Sequence, residues 1–321
     1  MDTAKFVLVA LVVVGHLIEQ VRHFSPFAEA AYRYIYLFHI PALVFVSGAV
    51  ATARFDVEEG KRWLAALVLP YLVFQALYLL ADAAWQEKAF VFRVTTPYWL
   101  LWYLFSLAAW RLMLPVALSV AHPLLGSVLV AVAAGWLPDV GYPFSLSRTL
   151  VFFPFFVAGY LHGCARPRGP VVLAWLVLLV LAGVAWWARA ASPMWLYGSA
   201  GYADLGARPW AGASARLILL MLGMAGTWAV LRLMPERDNV LAWLGRYSIG
   251  AYLLHGFLVR QGSAQGWYAA LQGQPIWQLL LLLAVIGVVG TVVLCVCARW
   301  LRPFMHYGWL WNLRRTGSGS S

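Results

Sequence analysis

Charged residues are scarce in this 321-residue chain: they make up 11% of it, with 12 acidic residues against 23 Lys and Arg. Ordinary soluble domains are about 25% charged and about 45–50% apolar. Here 63% of residues are hydrophobic and the mean hydropathy is +0.77. The composition excludes a soluble enzyme, and it excludes a disordered chain because so much apolar surface must be buried. The net charge of +11 is spread between apolar runs, which is typical of membrane-flanking charges and not of nucleic-acid binding.

Cysteine is almost absent as well. The three cysteines, Cys164, Cys295 and Cys297, make neither a disulfide framework nor a four-ligand zinc set, so no metal site is predicted. Aromatic residues, by contrast, are abundant, with 18 Trp and 15 Tyr. Amphipathic rings of this kind collect where a bilayer meets water.

Long apolar runs dominate the chain. A membrane-spanning helix needs about 20 mostly apolar residues, and such runs recur at 3–19, 32–53, 63–82, 98–114, 122–137, 149–163, 171–188, 213–234, 240–258 and 276–300. They predict an all-α bundle of ten transmembrane helices that forms a single integral-membrane domain over residues 1–316. Residues 317–321, Gly-Ser-Gly-Ser-Ser, resemble an appended flexible linker.

The distribution of Lys and Arg predicts the orientation of this bundle. With the N-terminus in the cytoplasm, 14 of the 23 Lys and Arg residues fall on that side and nine on the other. The positive-inside rule therefore predicts cytoplasmic termini and a multi-pass protein of the plasma membrane. Prolines inside four of the runs predict spans that are short or broken. They are Pro41, Pro70, Pro115 and Pro154.

The first apolar run carries ionisable residues, which are functional candidates when they lie inside a membrane. Lys5 and His16 are eleven residues apart, so on a helix they share one face and lie about 16 Å apart. That face suits a ligand with an anionic head and an extended arm. Glu19 and Gln20 follow at helical spacing, and either could orient the His16 ring. The alternative is that Lys5 snorkels to the surface and His16 bonds another helix.

Lys5, ten residues and then Gly15-His16 resemble the R/K-x10-H signature that opens the first helix of the acyltransferase 3 family of integral-membrane O-acyltransferases. Further segments are similar to landmarks of the family, in the family's order, and the ten-helix count agrees; the first of them is similar to a stretch of the family's fucose O-acetylase-like branch. They are FHIPALVFVSG at 38–48, Lys61-Arg62 with Pro70-Tyr71, WYL at 102–104, FPFFVAGY at 153–160 and SIGAYLLH at 248–255.

This resemblance implies transfer of an acyl group, usually acetyl, from cytoplasmic acyl-CoA to a hydroxyl, commonly of a sugar. Lys5, Lys61 and Arg62 would then hold the CoA phosphates, and neutral His16 would be the general base. A covalent acyl-histidine is the alternative to direct transfer. Acetyl-CoA is accordingly the expected co-substrate, and a sugar or glycoconjugate is the expected acceptor. Ala65 departs from the family, which often has a further Arg at this position.

Two more ionisable residues are expected in the reaction chamber. His39, next to Pro41, either orients His16 or binds the acyl carbonyl oxygen, or it only hydrogen-bonds within its own broken helix. Arg148 either neutralises a developing oxyanion or binds an acidic sugar, or it only anchors the helix at the membrane interface. Ser47 and Gly48 indicate close packing of helices.

A polar stripe and two aromatic pairs are the candidates for acceptor binding. Ser248, Tyr252 and His255 follow at spacings of four and three residues, which places them on one face of a helix. The stripe either lines the acceptor path or joins helices. Trp102 and Tyr103, like Tyr98-Trp99, either stack on sugar rings or belong to the interfacial belt.

The rival function is a proton-coupled secondary transporter in which His16 and Glu19 relay protons. Transporters of that type often contain internal repeats with broken helices in matching halves. The sequence contains no convincing repeat, so we favour the enzyme.

Overall fold

The computed structural model describes residues 1–86, 89–138, 140–235 and 240–305, with side chains up to residue 300. Residues 317–321, for which a linker is predicted, lie outside this range, as do Lys88, Arg237, Arg314 and Arg315 of the charge count. Within the described residues the chain forms thirteen α-helices and no strand. In order they are α1 (Asp2–Val21), α2 (Pro26–Ala49), α3 (Val57–Trp63), α4 (Leu69–Gln86), α5 (Trp102–Leu118), α6 (Pro123–Ala133), α7 (Leu146–His162), α8 (Val171–Trp187), α9 (Met194–Tyr197), α10 (Pro209–Leu233), α11 (Val240–Gly245), α12 (Ser248–Ala264) and α13 (Ile276–Met305).

The all-helical fold is confirmed over these residues, and eight helices are long and apolar enough to cross a membrane. They are Asp2–Phe24, Pro26–Ala49, Val57–Gln86, Trp99–Leu118, Pro143–His162, Val171–Ala190, Pro209–Leu233 and Ile276–Trp300. The other two predicted spans are shorter helices. The run at 122–137 forms the helix Pro123–Trp136, and the run at 240–258 is divided between α11 and α12. Ten crossings and cytoplasmic termini stay predictions.

Helix α2 lies at the centre of the bundle, where it packs against α1, α7, α8 and α10. Its closest approach to α7 is made by two glycines. A Cβ at Gly48 would lie 2.0 Å from the Phe156 carbonyl oxygen, and a Cβ at Gly159 would lie 1.9 Å from that of Phe45. Because backbone fills these positions, only glycine fits, and the two helices pack backbone to backbone as small residues allow in membranes.

Most of the prolines do not break their helices. α2, α5 and α7 run without interruption through Pro41, Pro115 and Pro154, so the expectation of broken spans is wrong there. The proline φ of about −65° is compatible with a helix, and packing within the bundle outweighs the lost hydrogen bond and the crowding of the ring against the preceding turn. Ahead of Pro70 the helix loosens into one π-helical turn, Leu64–Val68, which absorbs the misfit.

Successive long helices run in opposite directions, so the bundle has two ends. We call them the Lys5 end, where α1 begins, and the His16 end, where α1 passes through Arg22–Phe24 into α2. His16 lies five residues before the end of α1, which places it about 8 Å inside the bundle. The segment 89–98 between α4 and α5 lies at the same end.

Candidate active site

His16 is held by Glu19, one helical turn further along α1. The ring Nδ1 lies 3.0 Å from the Glu19 carboxylate, and the two side chains are only 14% and 24% exposed. A carboxylate accepts and does not donate, so this hydrogen bond keeps the imidazole proton on Nδ1 and leaves the Nε2 lone pair available. Gln20 instead donates to the backbone oxygen of His16 at 3.3 Å and accepts from Ser263 at 2.8 Å. Glu19 is therefore the residue that orients the ring.

Aromatic side chains from three other segments surround the His16 ring. The centroid of Trp99, in the turn before α5, lies 4.5 Å away, and His255 of α12 stacks on the ring at 5.5 Å with an interplanar angle of 21°. The Tyr36 hydroxyl of α2 lies 3.3 Å from His16 Nδ1. These contacts fix the imidazole on several sides.

His39 and His255 are both buried, each 1% exposed, and both bond the backbone of their own helix. His39 Nδ1 donates to the Ile35 oxygen at 2.7 Å, and His255 Nδ1 donates to the Ala251 oxygen at 3.1 Å. Because carbonyl oxygens accept, each neutral ring presents Nε2 as an acceptor. His255 Nε2 is buried and has no hydrogen-bond partner among the described residues. Such an orphaned polar atom indicates a place for a ligand or water.

His39 reaches His16 through an intermediate residue. The rings of His39 and Tyr36 lie 4.6 Å apart in an edge-to-face arrangement, and Tyr36 in turn contacts His16. His39 is thus part of the same cluster, with Tyr36 between it and the candidate base.

Arg148 of α7 lies beside this cluster. Its guanidinium stacks over the rings of Trp102 at 5.0 Å and Tyr142 at 4.7 Å, and it interacts electrostatically with the side chains of Tyr36 and Tyr252. The Nε atom of Arg148 is buried and has no hydrogen-bond partner among the residues described. The arginine therefore offers a buried cationic N–H donor beside the His16 cluster.

The Trp99 ring is presented by a strained turn. The Trp99 backbone has φ 33°, in the left-handed region that non-glycine residues rarely adopt, at a typical cost of about 1–3 kcal/mol. Gln75, which is fully buried, holds the preceding segment. Its Nε2 donates to the Arg93 oxygen at 2.6 Å and the Thr96 oxygen at 2.9 Å, while its Oε1 accepts from the Tyr98 N–H at 2.8 Å. The hydrogen bonds of Gln75 thus help to fix the position of Trp99 against His16.

Of the polar stripe on α12, only His255 contacts His16. Ser248 donates to the Gly245 oxygen at 2.8 Å, and the Tyr252 hydroxyl donates to the Leu100 oxygen. Ser248 closes the turn between α11 and α12. Tyr252 joins α12 to the turn that carries Trp99, with its ring 6.1 Å from that of His255.

The aromatic pair Trp102 and Tyr103 divides between two roles. Trp102 stacks with Arg148 inside the chamber. The Tyr103 hydroxyl bonds Ser47 at 2.8 Å and donates to the Leu43 oxygen at 3.1 Å, so it braces α2 beyond its proline.

A family model described as an acyltransferase domain, that of acyltransferase 3, matches residues 1–300, which include every side chain of this site. The chain belongs to the acyltransferase 3 family. It is therefore a multi-pass membrane acyltransferase, with an acyl donor and an acceptor as its substrates. No curated protein and no solved structure gives a significant match.

In this acyltransferase the three cations predicted to hold the donor lie at the Lys5 end. Each forms an ion pair with an acid three residues earlier on its own helix: Lys5 with Asp2 at 2.9 Å, Lys61 with Glu58 at 2.5 Å and Arg62 with Glu59 at 3.8 Å. The Lys5 side chain is 32% exposed and that of Arg62 is 78% exposed. The structure thus places them on two helices, α1 and α3, without a shared contact among the described ion pairs.

The acyltransferase contains no group of three His, Cys, Asp or Glu side chains, within its described residues, that could hold a metal ion. Cys164 and Cys297 are free and exposed, and Cys295 is free and buried.

Two important residues of the acyltransferase site are missing from the sequence interpretation. Tyr36 precedes His39 by three residues, so helical spacing could have revealed it as a neighbour on the same face. Gln75 acts by clamping a segment about 20 residues further along the chain, and no local pattern indicates that role.

Proposed function

We propose that this acyltransferase is an acetyl-CoA-dependent O-acetyltransferase of the fucose O-acetylase-like branch, acting in the plasma membrane on a hydroxyl of a carbohydrate or glycoconjugate. The observation that carries the proposal is the His16–Glu19 pair, which leaves His16 Nε2 as a base inside a largely buried chamber. Membership of the family favours this enzyme over the proton-coupled transporter.

His16 acts as the general base. Its Nε2 takes the proton of the acceptor hydroxyl as the hydroxyl oxygen attacks the carbonyl carbon of the thioester. Glu19, hydrogen-bonded to Nδ1, stabilises the imidazolium that forms. The carbon–sulfur bond then breaks and His16 returns the proton to the leaving sulfur, which gives the acetyl ester and the free CoA thiol. No covalent histidine intermediate is required in this sequence.

Arg148 supplies the charge that the tetrahedral intermediate needs. Its Nε–H has no hydrogen-bond partner among the described residues, so it is free to donate to the developing oxyanion. His255 Nε2 accepts a hydrogen bond from the acceptor, and His39, through Tyr36, supports the position of His16. Ser248, Tyr252 and Tyr103 shape the surrounding helices, and Trp102 orients the arginine.

Lys5, Lys61 and Arg62 bind the phosphates of the donor. The pantetheine arm is long, and the separation of about 16 Å between Lys5 and His16 along α1 lets a thioester reach the base while the phosphates stay at the rim. Asp2 and Glu58, the partners of Lys5 and Lys61, are accessible to solvent, and exposed pairs of this kind are weak, typically about 0–1 kcal/mol. A phosphate can therefore displace these two acids. Glu59 is only 13% exposed and also pairs with Arg111, but its contact with the exposed Arg62 is long, at 3.8 Å, so the Arg62 guanidinium can turn to a phosphate.

The proposal is tested with the detergent-purified full chain, radiolabelled acetyl-CoA and a panel of free sugars. We expect release of the CoA thiol together with label on the sugar, and loss of both in His16→Ala. A folded wild-type protein that releases no CoA thiol, with any acceptor or with water, would contradict the proposal. Proton-driven uptake into proteoliposomes without acetyl-CoA would instead support the transporter.

A further inference from the structure

A cavity lies at the His16 end, close to the candidate base. It has a volume of about 380 Å³ and is formed by α4, the segment 89–98 and Trp99. Its polar lining includes Asp82, Arg93, Thr96 and Tyr98, and we call it the Asp82 pocket. Pockets for small ligands generally have volumes of about 300–1,000 Å³.

The wall of the Asp82 pocket is a fixed structure. Besides the three hydrogen bonds of buried Gln75 to the segment 93–98, the Tyr71 hydroxyl donates to the Val94 oxygen at 2.5 Å, and the Thr95 oxygen accepts from the Phe144 N–H at 2.5 Å. Buried polar groups that are satisfied in this way fix one conformation. The pocket therefore presents a preformed surface.

Asp82 has one open carboxylate oxygen. Its Oδ1 accepts from Gln86 at 2.6 Å, Arg260 at 2.8 Å and the Tyr98 hydroxyl at 2.9 Å, whereas Oδ2 has no hydrogen-bond partner among the described residues. Burial raises the pKa of Tyr98 to about 12, so its hydroxyl keeps the proton that it donates to Asp82. The open oxygen is an acceptor for the hydroxyl of a ligand.

The described residues that line the pocket also carry an uncompensated positive charge. The charge of Asp82 is balanced by its ion pair with Arg260. Arg93 is exposed, and no hydrogen bond or ion pair of its guanidinium is found within the described part of the chain. An uncompensated guanidinium at the mouth of a pocket favours a carboxylate or phosphate group, which it can bind in a bidentate manner.

Trp99 connects the pocket to the reaction site. Trp99 lines the pocket, and its ring lies 4.5 Å from that of His16. Indole has a broad apolar face and little conformational freedom, which suits it to packing on a sugar ring. The pocket thus adjoins the candidate base through Trp99, which contacts both.

We infer that the Asp82 pocket is the acceptor subsite, and that it binds a hydroxyl-rich acceptor carrying an acidic group, such as a sugar acid or sugar phosphate. Asp82 accepts hydrogen bonds from the hydroxyls of the acceptor, Arg93 binds its acidic group, and Trp99 packs against its ring. The inference rests on the proposed function, because it assigns the substrate class of the same reaction. It makes the charge of the acceptor, and not only its hydroxyls, a determinant of specificity.

The kinetic test compares methyl α-D-glucuronide, α-D-glucose 1-phosphate and methyl α-D-glucoside as acceptors from acetyl-CoA. We expect at least one of the two acidic probes to have a lower KM than the neutral glucoside. The probe with the lower KM shows whether the pocket prefers a carboxylate or a phosphate. Arg93→Gln should raise the KM of that probe about five-fold and leave that of the glucoside nearly unchanged. The matched control is Arg208→Gln, an exposed arginine of the same end that does not line the pocket. Equal KM values for all three probes in the wild type would overturn the inference.

A binding test separates this inference from the proposed function, since it needs no acyl donor. Thr96→Cys, in a background with Cys164→Ser and Cys297→Ser, places one thiol in the pocket wall. Ligands of this size bind at best in the millimolar range, so the sugars are used at tens of millimolar. We expect an acidic sugar to slow maleimide labelling of this thiol at least two-fold more than the glucoside does, and Arg93→Gln to remove the difference.

Labelling that no acidic sugar slows, or that Arg93→Gln leaves equally protected, overturns the subsite whether or not acetyl transfer occurs. Specific protection in a protein that does not use acetyl-CoA would instead contradict the proposed function and retain the pocket as a binding site for acidic sugars.

Discussion

The two ends of the helix bundle hold their polar side chains in different ways. At the His16 end, His39 and His255 are 1% exposed, and His16 is fixed by a carboxylate, a tyrosine, a tryptophan and a second histidine. At the Lys5 end, the cations bond acids of their own helices and are 32% to 78% exposed. The reacting groups are therefore preorganised, whereas the groups assigned to the donor's phosphates are more exposed to solvent.

This difference matches the demands of the two tasks. A general base must be held close to its productive geometry, and positioning errors of about 1 Å are costly. Phosphates can be recognised by flexible point charges, and exposed cations also leave the donor free to dissociate after transfer. The comparison predicts large effects on turnover at one end and modest, salt-sensitive effects on binding at the other.

The largest effect is expected from His16→Ala. General-base catalysis contributes about 10²–10⁴-fold, so we expect a fall of about 1,000-fold in kcat for acetyl transfer, measured as release of the CoA thiol. The matched control is His23→Ala, since that ring is exposed and contacts Phe24. Retention of most of the activity by His16→Ala, in a protein of unchanged thermal stability, would remove His16 from the mechanism.

The close crossing of α2 and α7 lies at the Lys5 end. It tests whether the helices are tightly packed there even though the cations of that end are exposed. In Gly159→Ala the new Cβ would lie 1.9 Å from the backbone oxygen of Phe45, so the helices must separate. We expect a loss of about 3 kcal/mol in the free energy of unfolding, measured in detergent by denaturant titration. Gly183→Ala is the control, because its Cβ meets no atom within 4 Å and alanine favours helix. Equal stability of the two variants would contradict the close crossing.

Glu19→Gln separates the charge of the carboxylate from its shape. The amide keeps the size of the side chain but no longer stabilises the imidazolium, so we expect kcat to fall about 30-fold with little change in the KM for acetyl-CoA. Gln20→Ala is the control, since Gln20 bonds the backbone of His16 and not its ring. An equal loss of activity in both variants would show that a general disturbance of α1 is responsible, and that the charge of the Glu19 carboxylate is not.

The sequence predicts the helices well, because long apolar runs and polar breaks decide where a chain crosses a membrane. The sequence does not predict helix boundaries that are set by tertiary contacts. The run at 240–258 reads as one span, yet the chain turns between α11 and α12. Gly245 ends α11 against α1, where a Cβ would lie 1.9 Å from the Asp2 oxygen. Periodicity does not reveal such a contact.

The same difference holds within the site: contacts along one helix are predictable from spacing, and contacts between distant segments are not. Lys5, His16 and Glu19 share one helix, so spacing alone predicts their common face, and the contact of His16 with Glu19 follows from it. The placement of Trp99 depends on a left-handed backbone and on buried Gln75, which lies on a different helix. Contacts between distant segments are set by packing, so the sequence names the aromatic pair Tyr98-Trp99 without indicating its contact with His16.

The smallest effect is expected at the Lys5 end, where Lys5→Ala and Arg62→Ala should each raise the KM for acetyl-CoA about five-fold with kcat nearly unchanged. Exposed charges interact weakly, and salt screens them over about 8 Å at physiological ionic strength, so the effect should shrink as salt is added. The KM is measured at low and high salt, with Arg168→Ala, an exposed arginine of the same end, as the control. A fall in kcat instead of a rise in KM would show that these cations are as preorganised as the His16 site, and the contrast between the two ends would be lost.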